Sequence, residues 1–218
     1  MSDSKTSYRG RVKYDEQTAR KYQVRKEGKH QAEMRMVDRA FALVPKNHRL
    51  LDVPCGGGRV TIHLAKKGYA LSSADLSDSM IQITRESVAK HKFDIKVEKQ
   101  DIEKLTYADR AFDTVISFRL FHHFPAPDIR LRAVTELCRV ARKYVALSYF
   151  SPASVTSVKR SIRAALGGKK SEKHTTSLTE VEGYFEKRGF RLVKDFPQLR
   201  LIHTMHLALF ERVGESKP

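Results

Sequence analysis

The chain alternates between two hydrophobic periods. Leu50–Asp52, Tyr69–Asp75 and Val97–Ile102 read as short strands each leading to an acid, Tyr144–Phe150 as a further strand, and the β-branched and aromatic run Ala111–Phe118 as a buried one. Between them, apolar residues recur every three or four positions, the spacing of a helix with one buried face. Met34, Val37, Phe41 and Leu43 give it within 30–43, Met80, Ile81, Ile83 and Val88 after Asp78, and Ile129, Ala133, Leu137 and Val140 within 127–142. Another helix is predicted over Tyr14–Tyr22. Ser177-Leu178-Thr179-Glu180 is a capping box opening a helix that stops at Gly189. Arg191–Phe196 and Leu201–Val213 then read as an antiparallel pair. Strands alternating with helices predict an α/β fold with a largely parallel sheet.

The first strand leads directly into Val53-Pro54-Cys55-Gly56-Gly57-Gly58-Arg59 and then into amphipathic Val60–Ala65. Strand, tight glycine turn and helix start form the unit that brings backbone close to a nucleoside-like ligand at the carboxyl end of a strand. Glycine supplies both unusual backbone angles and close approach. About twenty residues on, the second run ends in Asp75. An acid there is placed to accept from two ribose hydroxyls; alternatively Asp75 or Ser77 caps the following helix.

The pieces LLDVPCGGGR, SSADLSDSMI, KQDIEKL, AFDTVISFRLFHHF and SLTEVEGYFEKRGF together resemble the class I S-adenosylmethionine-dependent methyltransferases of the small-molecule type, over residues 49–212. The resemblance implies a doubly wound, Rossmann-like, seven-stranded sheet, mostly parallel with an antiparallel C-terminal strand. The dehydrogenase pattern G-x-G-x-x-G is not met. In the family's D-x-G-x-G-x-G, Asp52, Pro54, Gly56 and Gly58 take the fixed positions, with Pro54 a departure that removes an N–H and fixes φ. S-adenosylmethionine is then the implied cofactor and S-adenosylhomocysteine the product. The implied cofactor site is Asp52, Pro54, Gly56, Gly58, Asp75, Leu76, Met80, Asp101, Ile102 and Ser117. Asp101 would take the adenine amino group and Ile102 pack on the ring; otherwise Asp101 is a surface acid in a loop.

Phe118–Pro125 follows the fourth strand, where open α/β sheets place their ligands. It lacks the Asn/Asp-Pro-Pro-Tyr/Phe signature of exocyclic-amine methylation. His122 or His123 could serve as a general base, or shape the loop while alignment carries the transfer. Arg119, His122 and His123 are the candidate catalytic residues, and Tyr149 lies across the cleft. By resemblance, an N-terminal helix bearing Tyr14, Ala19 and Tyr22 lies over the cofactor, and Tyr14 and Tyr22 join Tyr149 as candidate substrate contacts. Arg25 or Lys29 then meets the methionine carboxylate, or both are solvated helix charges. Metal ligands are not expected, and His203 and His206 read as ordinary partly buried residues.

At 218 residues, one methyltransferase domain over 13–218 is the natural reading, after a mobile basic tail over 1–12. It divides into N-terminal helices 13–45, a core 49–150, a basic insertion or lid 151–176, and a C-terminal helix and strand pair 177–213. No apolar run is long enough to span a bilayer, and the lysine-bearing start lacks the apolar core of a signal peptide. Two cysteines, Cys55 and Cys138, suggest a reducing, cytoplasmic compartment. The net charge of +17 points to anionic partners, or serves solubility alone. Within the insertion, 154–173 carries Val155, Val158, Ile162, Ala165 and Leu166 opposite cations. Such a helix suits an anionic surface, RNA, or packing as a lid. The resulting expectation is methyl transfer to O or N of a small or lipid-like, anionic acceptor, in the cytoplasm or peripherally at an anionic membrane. An RNA methyltransferase and a non-catalytic cofactor-binding scaffold are the rivals. The oligomeric state is not legible.

Overall fold

Parallel strands buried on both faces need apolar side chains in both directions, and the central strands meet that demand. The computed structural model describes residues 27–152, 173–198 and 204–213. In chain order the elements are α1 (Glu27–Phe41), β1 (Arg49–Asp52), α2 (Arg59–Ala65), β2 (Ala70–Asp75), α3 (Asp78–Lys90), β3 (Lys96–Lys99) and β4 (Phe112–Ser117). A 3₁₀ turn (Phe121–His123), α4 (Pro127–Val140), β5 (Ala141–Phe150), α5 (Leu178–Glu186), β6 (Phe190–Pro197) and β7 (Met205–Arg212) follow. The seven strands form one sheet in the order β3-β2-β1-β4-β5-β7-β6, with β7 antiparallel to both neighbours. This is the doubly wound, mostly parallel α/β sheet that the patterning and the resemblance imply.

Alternation along the strands divides the core in two. On β5, Val145, Leu147 and Tyr149 face α4 and α5, packing with Ile129, Leu137, Val181 and Phe185. Ala146 and Phe150 face α1 and α2, with Met34, Phe41, Val60 and Leu64. Each Val, Leu, Ile, Met or Phe side chain so buried contributes about 1.5–3 kcal/mol. Phe185 stacks on Phe210 at 3.8 Å, locking α5 onto β7. Ser177 caps α5 by accepting from the Glu180 N–H at 3.1 Å, while the Glu180 carboxylate accepts from Arg130 of α4 and from Tyr184. The capping residues therefore also join the two helices.

Several expected boundaries move. β3 stops at Lys99, so Gln100 and Asp101 lie beyond it, in a turn that Asp101 closes by accepting from the Glu103 N–H at 3.0 Å. β5 begins at Ala141, directly after α4 ends at Val140. Met34, Val37 and Phe41 are buried as their spacing predicts, but Leu43 is exposed, because the helix ends at Phe41 and the following turn rotates it outward. The Tyr14–Tyr22 helix, the 1–12 tail, 153–172 of the basic insertion and 201–203 of the last predicted strand lie outside the described residues. Among the described residues no helix is long and apolar enough to cross a membrane.

Candidate functional site

β1 is flanked by β2 on one side and β4 on the other, so chain direction diverges there and a crevice opens at the carboxyl ends. A cleft of about 340 Å³ lies in it. The glycine turn is tied down from three directions. The Cys55 N–H donates to the Ala74 carbonyl at 2.8 Å, the Gly56 N–H to Asp75 Oδ2 at 2.8 Å, and Thr84 Oγ1 to the Gly56 carbonyl at 2.6 Å. Gly58 sits at φ 76° as the cap of α2, and a Cβ there would come within 3.1 Å of the Thr84 side chain. Gly58 therefore serves the approach of α3 to the turn.

Asp52 forms the cleft floor. Its side chain is fully buried, Oδ2 accepts from Thr61 Oγ1 at 2.7 Å, and Oδ1 has no hydrogen-bond partner among the described residues. Burial, opposed by the Thr61 hydroxyl and reinforced by nearby Asp75, raises its pKa to about 7. Such a carboxyl is prepared for a donor supplied by a ligand, since an unmade buried acceptor is costly. Asp75, at the end of β2, accepts from Gly56 and, through Oδ1, from the Ser77 N–H at 3.0 Å. Burial moves its pKa upward against those backbone bonds. The cap of α3 is Ser77, whose hydroxyl accepts from the Met80 N–H.

Asp52, Pro54, Gly56, Asp75, Leu76, Met80, Asp101 and Ile102 all line this one cleft, as do Arg119 and His123. Gly58, Ser117, His122 and Tyr149 do not. Ser117 is buried at the end of β4, where Phe118 takes the lining position. His122 is buried and stacks on Phe150 at 3.9 Å with parallel planes. Tyr149 points to the α4–α5 side, its hydroxyl 3.5 Å from Nδ1 of His206, which is 2.5 Å from Asp195. Tyr14, Tyr22, Arg25 and His203, and the side chain of Lys29, lie outside the described residues.

Three residues without a role in the sequence pattern also belong to the site: Gln100, Arg59 and Glu33. Gln100 lines the cleft while its amide clasps Thr106 through both ends. Arg59 lines it too, and Arg59 and Arg119 both reach the buried carboxylate of Glu33, at 2.9 Å and 2.6 Å. Arg59 stood inside the glycine-turn segment. Glu33 had a signal as well, four residues before Val37 on the apolar stripe of α1. The cysteine in the turn is buried with its thiol pKa pushed well up, so it packs as a neutral group.

Comparison with known proteins places the same stretch. Residues 50–144 match the family model described as a methyltransferase domain. A ubiquinone biosynthesis O-methyltransferase of Coxiella burnetii is 32% identical over 98 residues, which are 45% of this chain and 42% of that protein. The match thus spans under half the length of the curated relative. Magnesium protoporphyrin IX methyltransferase of Synechocystis PCC 6803, solved with bound S-adenosylhomocysteine, superimposes with a TM-score of 0.71 at 18% identity, covering 83% of this chain and 84% of that one. The cyclase SpnF superimposes with a TM-score of 0.67 at 16% identity, over 84% and 82%. Likeness at such identities speaks for the fold alone. The family model and the fold thus agree on the glycine turn and the strands beside it: residues 50–144 match a methyltransferase domain and form the central strands of a doubly wound sheet.

Proposed function

We propose that the cleft binds S-adenosylmethionine and that the chain transfers its methyl group to O or N of a small or lipid-like, anionic acceptor. The observation that carries this reading is the convergence of three acids from the ends of successive strands on one cleft, beside a glycine turn. The residues present fit the cofactor: Asp52 offers a buried oxygen that lacks a donor among the described residues, Asp75 lines the cleft with its carboxylate oriented by the Gly56 and Ser77 N–H groups, and Ile102 is an apolar wall beside Asp101. When bound, the cofactor supplies a methyl group on a positively charged sulfur. The protein has little acid–base work to do beyond alignment, which can supply much of the acceleration.

Phe118, Arg119, Leu120 and His123 form the wall on the β4 side, where an acceptor meets the cofactor. His123, and not His122, reaches this wall, so any proton removed from an acceptor hydroxyl goes to His123. The charge of +17 favours an anionic acceptor, and the similarity to an O-methyltransferase of ubiquinone biosynthesis supports a hydroxyl on a lipid-like molecule. The basic segment 154–173 would then serve that acceptor or an anionic membrane surface, with the protein otherwise cytoplasmic.

The test is transfer of labelled methyl from S-adenosylmethionine into fractionated cell extract. Label in the lipid or small-molecule fraction is expected. Label confined to RNA would replace this reading with an RNA methyltransferase. Cofactor binding without label in any fraction would leave a scaffold.

A further inference from the structure

The sheet order places the strand ends along the cleft as Asp101 beyond β3, Asp75 on β2, Asp52 on β1 and Arg119 after β4. Arg59, at the start of α2, also lines it. The cleft therefore has acids along three strand ends and guanidiniums at the fourth. A ligand that suits this arrangement carries hydroxyl or amine donors over most of its length and an anion at one end.

The two arginines are held by one group. Glu33 is fully buried on α1, with Oε2 at 2.9 Å from Arg59 Nη2 and Oε1 at 2.6 Å from Arg119 Nη1, one oxygen for each. Arg59 Nη1 also lies 3.2 Å from Nδ1 of His30. The side chains of Arg59 and Arg119 are only 17% and 10% exposed. Stability is a poor reason for such a triad, because desolvating charges offsets most of their attraction and apolar replacements often do as well. Arg119 carries a further cost: it sits at φ 66°, a left-handed conformation unusual for a non-glycine residue, with its N–H donating to Ser148 Oγ at 2.6 Å. Strain of this kind persists where surrounding structure enforces it, commonly at ligand sites.

We infer that Arg59 and Arg119 form a paired-guanidinium clamp for the α-carboxylate of the cofactor's amino-acid arm, with Glu33 as the residue that positions both. The inference rests on the cofactor reading above and moves the carboxylate contact from the N-terminal segment to α2 and the β4 loop. Guanidinium is suited to it because its planar fork matches a carboxylate and stays charged at any working pH. Glu33 faces the arginines from the core side and fixes their rotamers before the ligand arrives. That lowers the ordering cost of binding.

The experiment compares S-adenosylhomocysteine with methylthioadenosine, which shares the adenosine and the sulfur but lacks the amino-acid arm. Calorimetric titration of Arg59→Gln and Arg119→Gln should show homocysteine-bearing ligand weakened ~10- to 100-fold, the range for losing one charge-assisted contact. Methylthioadenosine should change by less than about threefold. Arg119→Lys should recover part of the loss, since it keeps the charge and loses the fork. Glu33→Gln should weaken S-adenosylhomocysteine severalfold while leaving methylthioadenosine alone, and retained methylthioadenosine binding certifies a folded cleft. Equal losses for both ligands, or tighter S-adenosylhomocysteine binding by Glu33→Gln, would overturn the clamp or the positioning role respectively. Failure of the wild-type protein to bind either ligand would instead sink the cofactor reading.

Discussion

Asp52 makes stability depend on pH, and substituting it should remove its share of that dependence. In the folded chain its pKa is raised from 3.8 to about 7, chiefly by burial. Below 3.8 both folded and unfolded chains hold the proton, and the contribution to stability is fully present. As pH rises past 3.8 the unfolded chain releases it while the folded chain keeps it, so unfolding becomes more favourable until about 7, where the loss is complete. At about 1.4 kcal/mol for each pH unit, the whole interval corresponds to about 4 kcal/mol, and the part between pH 5 and 7 to about 3 kcal/mol. Asp75 shifts in the same direction and adds to the trend. Asp52→Asn keeps the shape, lets its carbonyl oxygen accept from Thr61 Oγ1, and carries no titrating proton. Urea unfolding of wild type and variant at about pH 5 and about pH 8 measures the difference. With a slope of ~1–3 kcal/mol per molar urea, the variant's midpoint should gain on the wild type by roughly 1–3 M between the two conditions. Midpoints that keep the same separation at both pH values would refute a buried, proton-holding Asp52.

Asp75→Ala should weaken S-adenosylhomocysteine ~10- to 100-fold and also lower the unfolding midpoint, because the Gly56 and Ser77 N–H groups lose their acceptor together. Unchanged affinity by calorimetry would remove Asp75 from the cofactor site. His123→Ala should slow methyl transfer and spare cofactor affinity, with a near-neutral limb of the pH–rate profile lost if it accepts a proton. His122→Ala should instead cost about 2–3 kcal/mol of stability by emptying the stack on Phe150. A wild-type midpoint in His122→Ala would contradict its placement in the core.

The strand-end acids were legible because everything that fixes them is local. A strand ends, the chain turns, and the terminal carboxylate stands at the carboxyl edge whichever helix follows. Asp52 and Asp75 reach the cleft by that rule, and Asp101 reaches it from the turn two residues beyond β3. The finer choice at Asp75 was not local. Whether it or Ser77 caps α3 depended on the Gly56 N–H, nineteen positions away, which claims one of its oxygens. Adjacent His122 and His123 show the limit more sharply. Their sequence context is nearly the same, but a 3₁₀ turn over Phe121–His123 sends one ring onto Phe150 and leaves the other in the cleft wall. A loop without periodicity gives no basis for deciding which side chain turns inward.

Glu33 was hidden for a different reason, and it bears on how the site is built. Its partners are 26 and 86 residues along the chain, so no window of sequence contains the cluster. Its own position nonetheless violates the pattern of α1: an acid four residues before Val37, on the stripe that Val37 and Phe41 bury. A charged side chain on an apolar stripe must bring its counter-charges into the core. Here they come from α2 and from the β4 loop, the two segments that border the cleft beside Asp52. The exception to the hydrophobic pattern therefore couples the packing of α1 to the placement of both cleft arginines. The glycine turn shows the same logic from the other side. Gly58 admits Thr84 of α3, and Thr84 in turn holds the Gly56 carbonyl. The turn that approaches the ligand is thus set by a helix beginning twenty residues later, and shape at the cleft is inherited from contacts behind it.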